Sequence, residues 1–541
     1  MVISESSKIP TLILTGASGL IGKYLLDELK NDFRIFAIAR RSQQECNAPK
    51  HQNIAWLRAD ISNINSISKA FREIATAGGA DYLIHLAAYY DFVNEYHPEY
   101  ELTNIFGTKN ILDLSKNLNL KLFLFASSVA ACSFPEKNSY VDENSAADGL
   151  HIYAKSKRAG EEMVKEFAKY TPSIIFRLGA VYSDWCEYPP LYNFINTWTG
   201  KSWRSKILAG KGNSAIPYIH IRDVVGFFRK LLENYDSIKS CETLIVSTEG
   251  ATSHIDLFRL TTRYYFGTET KPVFMLKFFC ALGIYVLNFF KRIFKQEIFE
   301  QPWMIKYIDK RLTVKLNKTP ELINWRPSAR LRIEKRFPFL IERMKSESLT
   351  WQMKNISILR KTTERIDFNI YAALADEEDM IVERILSSIF SSSEFNLYSH
   401  LKNIDQSELR WFIKLIFRLI LSSINTNNKL LIQNYFEVSG ISRFKAGYNF
   451  DEMTLILKII NKEVIEYLKT QKHLAKFEKE FYFYITLPIE FGIDEAEQQF
   501  QSFQFKPVEE KKIEKEIITA DQNESRKLLE ETIWNCLVNR K

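Results

Sequence analysis

A glycine-rich turn near the start of the chain constrains the fold most strongly. The apolar run Thr11–Thr15 leads directly into TGASGLIG, with Gly16, Gly19 and Gly22, and then into a helical segment. A strand that turns tightly into a helix presents backbone N–H groups at the helix N-terminus, where they and the helix dipole bind a pyrophosphate. The motif therefore predicts a dinucleotide site at the first turn of a parallel sheet.

Alternating strands and helices extend this prediction over the first half of the chain. Short apolar runs typical of buried strands alternate with segments whose apolar residues recur at helical spacing. The six predicted strands are TLILT, FRIFAIAR, IAWLRAD, YLIHLAA, LFLFASS and SIIFRLG. This order predicts an α/β fold, a Rossmann-type doubly wound parallel sheet with a small substrate subdomain.

The pattern changes in the second half of the chain. From Asp367 to about residue 500 the apolar residues keep helical spacing and glycine becomes rare, whereas the segment after Phe505 is mostly charged. We therefore expect residues 1–345 to form the sheet domain, 346–505 an all-α helical bundle, and 506–541 a charged C-terminal tail.

The composition indicates which cell compartment and which classes of binding partner to expect. The net charge of +8 is spread along 541 residues, so nucleic acid is not expected as a partner. The six cysteines lie far apart without a CxxC pair, so neither a metal site nor a disulfide framework is indicated. The N-terminus lacks the apolar core of a signal peptide, which predicts a cytoplasmic protein. We expect a small-molecule substrate.

The end of the second strand indicates the type of cofactor. It is Ala39-Arg40-Arg41-Ser42, without the carboxylate that binds the ribose 2′-hydroxyl in NAD-binding folds. Arg40 and Arg41 are able to pair with a 2′-phosphate through their planar forks of donors. The sequence therefore favours NADP, with NAD as the less favoured alternative.

Further motifs follow in an order that identifies a family resemblance. They are Asp60-Ile61, HLAA at 85–88, Asn104-Ile105-Phe106-Gly107-Thr108, FASS at 125–128, Tyr153-x-x-x-Lys157, His220-x-x-Asp223 and LINWRP around Trp325. Together with TGASGLIG, residues 11 to 327 resemble the extended short-chain dehydrogenases/reductases of the NAD-dependent epimerase/dehydratase superfamily. The resemblance implies the Rossmann fold and an NAD(P)-dependent oxidoreductase.

The same resemblance implies which residues bind the cofactor. The implied set is Gly16, Ser18, Gly19, Leu20, Ile21, Gly22, Arg40, Arg41, Asp60, Ile61, Leu86, Ala87, Ala88, Asn104, Tyr153 and Lys157. Asp60 and Ile61 are expected beside the adenine, and Lys157 at the nicotinamide ribose.

Tyr153 and Lys157 are the predicted acid–base pair. Their spacing of four places both on one helix face. A free phenol has a pKa of about 10, and an adjacent ammonium is expected to lower that pKa. Tyr153 would then exchange a proton with a substrate carbonyl or secondary alcohol during hydride transfer. The resemblance implies that Ser128, rather than Ser127, is the catalytic serine.

The substrate side departs from the family pattern. The sequence is AVYSDW at 180–185 where the family often has a V-Y-G-P turn, and AYYDF follows HLAA. Tyr89, Tyr90 and Ser128 are predicted to line a pocket for a fairly apolar substrate, with packing as the alternative role of the tyrosines. Two other functions stay open: a sugar-nucleotide epimerase or dehydratase, and a cofactor-sensing regulator that acts through the helical domain.

An apolar segment at 273–295 has two interpretations. Its apolar part, up to Phe290, is followed by KRIFK and is shorter than the roughly 20 residues that span a bilayer. It is suited either to peripheral contact with a membrane surface or to a lid or homodimer helix.

The C-terminal region contains one further motif. In SRFKAGYNFDEM, Gly447 is expected to end one helix, and Asn449 with Glu452 to form the capping box of the next. The segment resembles the turn of the helical RsbR-type N-terminal sensor domain. The resemblance implies a protein partner for the helical domain; a structural bundle is the alternative, and His400 and His473 offer few metal or haem ligands.

Overall fold

The protein is described from a computed structural model. The structure describes residues 9–505, apart from Val93 and the segments 235–237, 239, 295–299, 360–365, 395–397, 399–400, 403, 427, 446–447 and 472–473. The chain divides into two compact units, Met1–Ala39 with Ala48–Thr363 and Arg40–Asn47 with Glu364–Lys541. Gly447, His400, His473 and the predicted tail 506–541 lie outside the described residues.

A seven-stranded parallel sheet forms the centre of the first unit. Its strands are β1 (Thr11–Thr15), β2 (Arg34–Ala39), β3 (Ile54–Arg58), β4 (Tyr82–His85), β5 (Leu122–Ser128), β6 (Ser173–Leu178) and β11 (Cys241–Val246). Their order is β11-β6-β5-β4-β1-β2-β3, and every pairing is parallel. The first six are the strands that the sequence predicts, and β11 adds an edge.

The strand order reverses at β1. From there β2 and β3 extend the sheet to one side, and β4, β5 and β6 to the other. The reversal opens a crevice beyond the carboxyl ends of β1 and β4, where doubly wound sheets bind their ligands. The predicted Rossmann-type fold is confirmed.

Helices follow the strands of this sheet. They are α1 (Leu20–Leu29), α2 (Ile64–Thr76), α3 (Glu99–Glu101) with the π-helical turn Leu102–Gly107, α4 (Thr108–Ser115), α5 (Ile152–Phe167) and α7 (Ile221–Glu233). Apolar residues at helical spacing explain why they form: α2 begins after its cap Asn63 and buries Ile67, Phe71 and Ile74 in the core of the sheet.

A smaller part of the first unit is built after β6. Its strands pair as β7 (Ala180–Tyr182) with β10 (Tyr218–His220), β8 (Ile207–Ala209) with β13 (Val273–Met275), and β9 (Ala215–Ile216) with β12 (Thr252–Ser253). Its helices are α6 (Pro189–Thr199), α8 (His254–Phe266), α9 (Lys277–Phe294), α10 (Lys318–Ile323), α11 (Ile333–Ser346) and α12 (Ser348–Leu359). Tyr182, Leu191, Phe258 and Phe337 lie in its core.

The helix after the predicted boundary at 345/346 packs in this same core. Trp351 of α12 is buried with Tyr192 and Phe337. The amide of Asn355 accepts from the backbone N–H of Glu187 at 2.8 Å and donates to the carbonyl of Trp185 at 2.8 Å. We therefore propose a boundary between α12 and residue 366 in place of 345/346.

The second unit has its own core. In the described part from 366 to 505 every element is helical: α13 (Ile366–Asp376), α14 (Glu378–Ser391), α15 (Gln406–Thr426), α16 (Leu431–Lys445), α17 (Phe450–Thr470), a 3₁₀ turn (Ala475–Phe477), α18 (Glu478–Phe481), a π-helical turn (Tyr482–Thr486) and α19 (Leu487–Phe505). The core residues all lie between Ile370 and Ala496. The predicted all-α region is confirmed.

The capping box predicted for α17 is present. The Asn449 side chain accepts from the helix backbone, and the Glu452 carboxylate accepts from the Asn449 N–H at 3.2 Å. Just before it, the Arg443 side chain donates to the Tyr435 hydroxyl at 2.7 Å and lies 4.3 Å from the Phe412 ring centre. These contacts fix the last turn of α16 and the first turn of α17.

Candidate active site

The turn after β1 is shaped by its glycines. Gly16 has a φ of +71°, and a Cβ there would lie 2.7 Å from the Ala87 nitrogen. A Cβ at Gly22 would lie 2.5 Å from the Gly16 carbonyl oxygen and 2.7 Å from the Ala17 Cα. The turn therefore closes only if these positions lack side chains.

The start of α1 offers an anion site. Gly19 is its N-cap, no side chain caps it, and its first turn holds no acidic residue. The backbone N–H groups of Leu20, Ile21 and Gly22 therefore begin a helix without a capping side chain, and Ser18 lies in the same turn. This arrangement fits the pyrophosphate of a dinucleotide.

The segment after β4 lies directly beside this turn. The N–H groups of Leu86 and Ala87 donate to the backbone and side-chain oxygens of Thr15, each at 3.3 Å, and Ala88 follows. His85 is buried, with its ring nitrogens 2.6 Å from the Thr15 hydroxyl and 3.1 Å from that of Thr108. Burial lowers the pKa of His85 to about 3, so its ring is neutral.

The predicted adenine-side residues follow β3. The Asp60 carboxylate accepts from the Ser62 N–H at 2.9 Å and from its hydroxyl at 2.7 Å. Ile61 is buried, and a Cβ at Gly107 would lie 2.8 Å from it. Gly107 thus allows the helix that bears Asn104 to lie against this loop.

Arg40 and Arg41 follow the last residue of β2. That strand is joined to the glycine turn by the hydrogen bond from Ala17 N–H to the Ile38 carbonyl at 3.3 Å. The next carboxylate along the chain is Glu45, and it accepts from the N–H and hydroxyl of Ser42 at 2.8 and 3.0 Å.

Helix α5 holds the predicted acid–base pair. His151 caps it, because its ring accepts from the Ala154 N–H at 3.1 Å while the other ring nitrogen is 3.0 Å from the Ala130 carbonyl. The Lys157 ammonium is buried and donates to the Ala126 carbonyl at 2.8 Å. It lies 5.8 Å from the centre of the Tyr153 ring.

The pKa of the tyrosine differs from the expectation. Burial raises the pKa of Tyr153 to about 12, and a hydrogen bond with Ser128 opposes that rise. Burial lowers the pKa of Lys157 to about 8, which Glu161 opposes. The expected lowering of the phenol pKa by the ammonium is therefore not seen, because desolvation dominates both groups. Tyr153 is a protonated acid near neutral pH.

The two serines at the end of β5 face different surroundings. The Ser128 hydroxyl donates to the Leu178 carbonyl at 3.4 Å, accepts from the Ala130 N–H at 3.1 Å, and lies close enough to Tyr153 to lower the pKa of that phenol. Ser127 is buried and donates to Glu161 at 2.5 Å. The structure thus brings Ser128, and not Ser127, to the tyrosine.

The carboxylate that accepts from Ser127 belongs to a buried ion pair. Arg177 of β6 binds Glu161 of α5 through two hydrogen bonds of 2.9 and 2.7 Å, and both side chains are almost fully buried. The pair ties α5 to the sheet. Sequence reasoning missed it; an ionisable residue inside the apolar strand SIIFRLG was its only signal.

Asn104 acts on the site through its neighbours. It lies in the π-helical turn, accepts from the Tyr89 N–H at 2.6 Å and donates to the Tyr89 carbonyl at 2.9 Å. It also donates at 3.0 Å to Ser156, whose hydroxyl donates to the Tyr153 carbonyl at 2.8 Å. These bonds connect the segment after β4 to α5.

Tyr89 and Tyr90 point to different environments. Tyr89 is buried, donates to Asp91 at 2.7 Å and stacks on His97 with ring centres 4.7 Å apart. This burial and stacking favour packing, the alternative role expected for this tyrosine. The Tyr90 ring centre, in contrast, lies 4.7 Å from that of Tyr153.

Aromatic rings surround Tyr153 on this side. The rings of Tyr90 and Phe92 are 4.6 Å apart, and the Tyr188 ring lies 6.3 Å from that of Phe92. The His151 ring lies 6.1 Å from Tyr153, and Trp303 donates to the Phe92 carbonyl at 2.9 Å. Tyr188, His151 and Trp303 were not predicted, since a tertiary contact between distant segments leaves no local sequence pattern.

The late family motifs have structural roles. His220 caps α7 and lies 3.2 Å from the Asp184 carboxylate. The Asp223 carboxylate accepts from the Ser328 N–H at 3.0 Å. Trp325 is buried against Phe227. These residues hold the smaller part of the first unit together.

Comparison with known proteins agrees with this geometry. Residues 12–247 match the model of the NAD dependent epimerase/dehydratase family. The match covers less than half of the chain. The predicted resemblance to extended short-chain dehydrogenases/reductases is confirmed for this region, and with it the assignment to NAD(P)-dependent enzymes.

The curated relatives include enzymes of several activities. The chain is 26% identical over 228 residues to the N-acetyl-alpha-D-glucosaminyl-diphospho-ditrans,octacis-undecaprenol 4-epimerase of Escherichia coli O157:H7, covering 41% of this chain and 63% of the relative. It is 26% identical over 181 residues to the 3 beta-hydroxysteroid dehydrogenase/Delta 5→4-isomerase of Monkeypox virus, covering 31% and 49%. The chain therefore spans about half to two thirds of these two relatives.

Solved structures with a similar arrangement include two sugar-nucleotide epimerases. A point mutant of the UDP-glucuronic acid 4-epimerase from Bacillus cereus, solved with NAD, is 18% identical with a TM-score of 0.48 and covers 62% of this chain and 99% of its own. The UDP-glucose 4-epimerase of Thermotoga maritima is 19% identical with a TM-score of 0.48, covering 63% and 99%.

Proposed function

We propose that the domain is an NADP-dependent oxidoreductase that transfers hydride to or from a carbonyl or secondary alcohol on a fairly apolar substrate. The observation that carries the proposal is the environment of Tyr153. Its protonated hydroxyl lies near Ser128, which lowers its pKa, and its ring lies beside Tyr90, at the carboxyl edge of the sheet. A carbonyl placed there would meet an acid, a hydrogen-bond partner and apolar walls.

Each side chain has a distinct part in this chemistry. Tyr153 would donate its proton to the substrate oxygen during reduction and recover it during oxidation. Ser128 would hold that oxygen through a hydrogen bond. Lys157, fixed by the Ala126 carbonyl, would bind the nicotinamide ribose. The dinucleotide, when bound at the glycine turn, supplies or accepts the hydride.

Two features support NADP over NAD. Arg40 and Arg41 stand at the end of β2, where NAD-binding folds place a carboxylate. The nearest following carboxylate, Glu45, accepts hydrogen bonds from Ser42. The arginines therefore remain the charged groups suited to a 2′-phosphate.

Sugar-nucleotide 4-epimerisation is the second candidate. Relatives named as 4-epimerases favour it. Such a reaction would use the same tyrosine and return the hydride to the substrate, with the cofactor retained. The aromatic neighbours of Tyr153 and the arginines after β2 argue for the first candidate.

Cofactor titration tests the proposal. We expect NADPH to bind more tightly than NADH, Arg40→Asp to reverse this preference, and Arg72→Asp, on the exposed side of α2, to leave it unchanged. A panel of apolar ketones and secondary alcohols should then show turnover with NADP(H). Preference for NADH, or turnover of UDP-sugars with a retained cofactor, would favour the epimerase.

A further inference from the structure

An apolar surface is exposed at β13 and the first part of α9. Its members are large side chains that elsewhere would lie in a core: Phe274, Leu276, Phe278, Phe279, Leu282 and Tyr285. Phe278 is 73% and Leu276 70% exposed, and the other four are at least half exposed. Contiguous apolar patches of this kind mark interaction surfaces. We refer to these six residues as the α9 surface.

The orientation of α9 explains the exposure. Phe278, Leu282 and Tyr285 follow one another at spacings of four and three, so they share one helix face. Cys280 and Ile284, on another face, are buried and half-buried. The helix therefore turns an apolar face outward, the reverse of an ordinary surface helix.

Basic residues border this face. β8 pairs with β13 in parallel, with Ile207 opposite Val273, so Lys206 and Lys271 lie at the same end of the two strands. Both are exposed, as are Lys201 and, at the start of α9, Lys277. Trp203, in the turn before β8, is 74% exposed.

We propose that the α9 surface and its lysines dock on an anionic lipid membrane, with α9 lying in the interface. Apolar burial combined with a basic rim is the pair of features that holds a peripheral protein on such lipids. Trp and Tyr side chains such as Trp203 and Tyr285 prefer the headgroup level. No described helix is long and apolar enough to cross a membrane.

A second copy of the chain is a poorer occupant. Two α9 surfaces placed face to face would bring two lysine rims together, and like charges in an interface disfavour association. An anionic surface instead complements the rim. This inference concerns binding alone and does not depend on the proposed chemistry.

Vesicle flotation of the full chain tests the proposal. We expect binding to vesicles of phosphatidylcholine with phosphatidylserine, and weaker binding to phosphatidylcholine alone. The triple variant Phe278→Ser, Leu282→Ser, Tyr285→Ser should lower the partition coefficient about tenfold or more. Lys206→Gln with Lys271→Gln should weaken binding about fivefold per lysine, and only on anionic vesicles.

Matched controls separate this effect from loss of folding. Leu349→Ser removes an equally exposed apolar side chain on α12, and Lys335→Gln an exposed lysine on α11; both should bind as the wild type does. Thermal melting should be unchanged in every variant. The proposal is overturned if the wild-type chain binds neither kind of vesicle or if the triple variant binds vesicles as the wild type does. It is also overturned if the only effect of the triple substitution is to dissociate a dimer, as measured by sedimentation.

Discussion

At the scale of single residues, the surroundings of Tyr153 determine how it acts. Burial raises the pKa of its phenol to about 12, and the nearby Ser128 hydroxyl opposes that rise. We expect Tyr153→Phe to reduce turnover by about 10²–10⁴-fold, since only the transferable proton is lost. Cofactor affinity should stay close to that of the wild type, because the glycine turn and Lys157 are intact. Steady-state kinetics with NADPH titration measure both, and Tyr170→Phe, at an exposed position, is the control. Retained turnover would refute the acid–base role.

The buried pair of Glu161 and Arg177 gives a prediction about stability. Glu161→Gln leaves Arg177 charged and without its carboxylate partner inside the sheet, which typically costs about 3–5 kcal/mol. Glu162→Gln, one residue on and exposed, should change the free energy of unfolding by less than about 0.5 kcal/mol. Urea unfolding followed by circular dichroism compares the two. Equal effects would show that the pair contributes nothing specific.

The sequence predicted the residues that meet the cofactor better than those that surround the substrate. Gly16, Gly22 and Lys157 belong to local motifs, in which spacing alone places the groups. Trp303 reaches the Phe92 carbonyl from more than two hundred positions away. The periodicity of apolar residues predicts local structure and does not predict a contact between such distant segments. The pKa of Tyr153 was mispredicted for a related reason, because it depends on burial that only the packed structure shows.

At the scale of elements, His85 joins β4 to β1 and α4. It is buried and neutral, hydrogen-bonded to Thr15 and Thr108. Its pKa falls from 6.5 to about 3 on folding, so between these values the unfolded chain binds more protons than the folded protein. Stability should therefore decrease as the pH falls from about 6.5 toward 3, with a slope of up to about 1.4 kcal/mol per pH unit from this residue.

The variant His85→Gln removes this titration. We expect the free energy of unfolding, measured in urea at a series of pH values, to depend less steeply on pH below 6.5 than it does in the wild type. Parallel slopes for the two proteins would show that another group controls the acid response.

Elements with regular periodicity were predicted, whereas the element that shifts the domain boundary was not. The first six strands are apolar runs that alternate with segments of helical periodicity, a pattern that predicts buried parallel strands. Helix α12 is short and has apolar residues on several sides. It joins the first unit because Trp351 fills a space between α6 and α11. The space between α6 and α11 is formed by distant segments and could not be predicted from the sequence. The change of composition therefore suggested that the first domain ends earlier, at residue 345.

At the scale of the whole molecule, the two cores are built from separate stretches of the chain. The cores of the first unit end at Trp351, and the core of the second begins at Ile370. The catalytic candidates all belong to the first unit. We therefore expect the helical unit to influence assembly or partner choice, while the chemistry stays with the first unit.

The position of the cut between the units is the decisive test of this division. A chain of residues 1–363 keeps α12 and should bind NADPH with the affinity of the full protein. A chain of residues 1–347 lacks Trp351 and Asn355, so it exposes the core beside Phe337 and leaves two backbone groups without their partners. In the full chain, Trp351→Ala should cost about 3–5 kcal/mol, and Leu349→Ala, at an exposed position, little. Calorimetry and NADPH titration distinguish the cases: if residues 1–347 unfold at the same temperature as residues 1–363, α12 is not part of the first unit and the boundary belongs at 345/346.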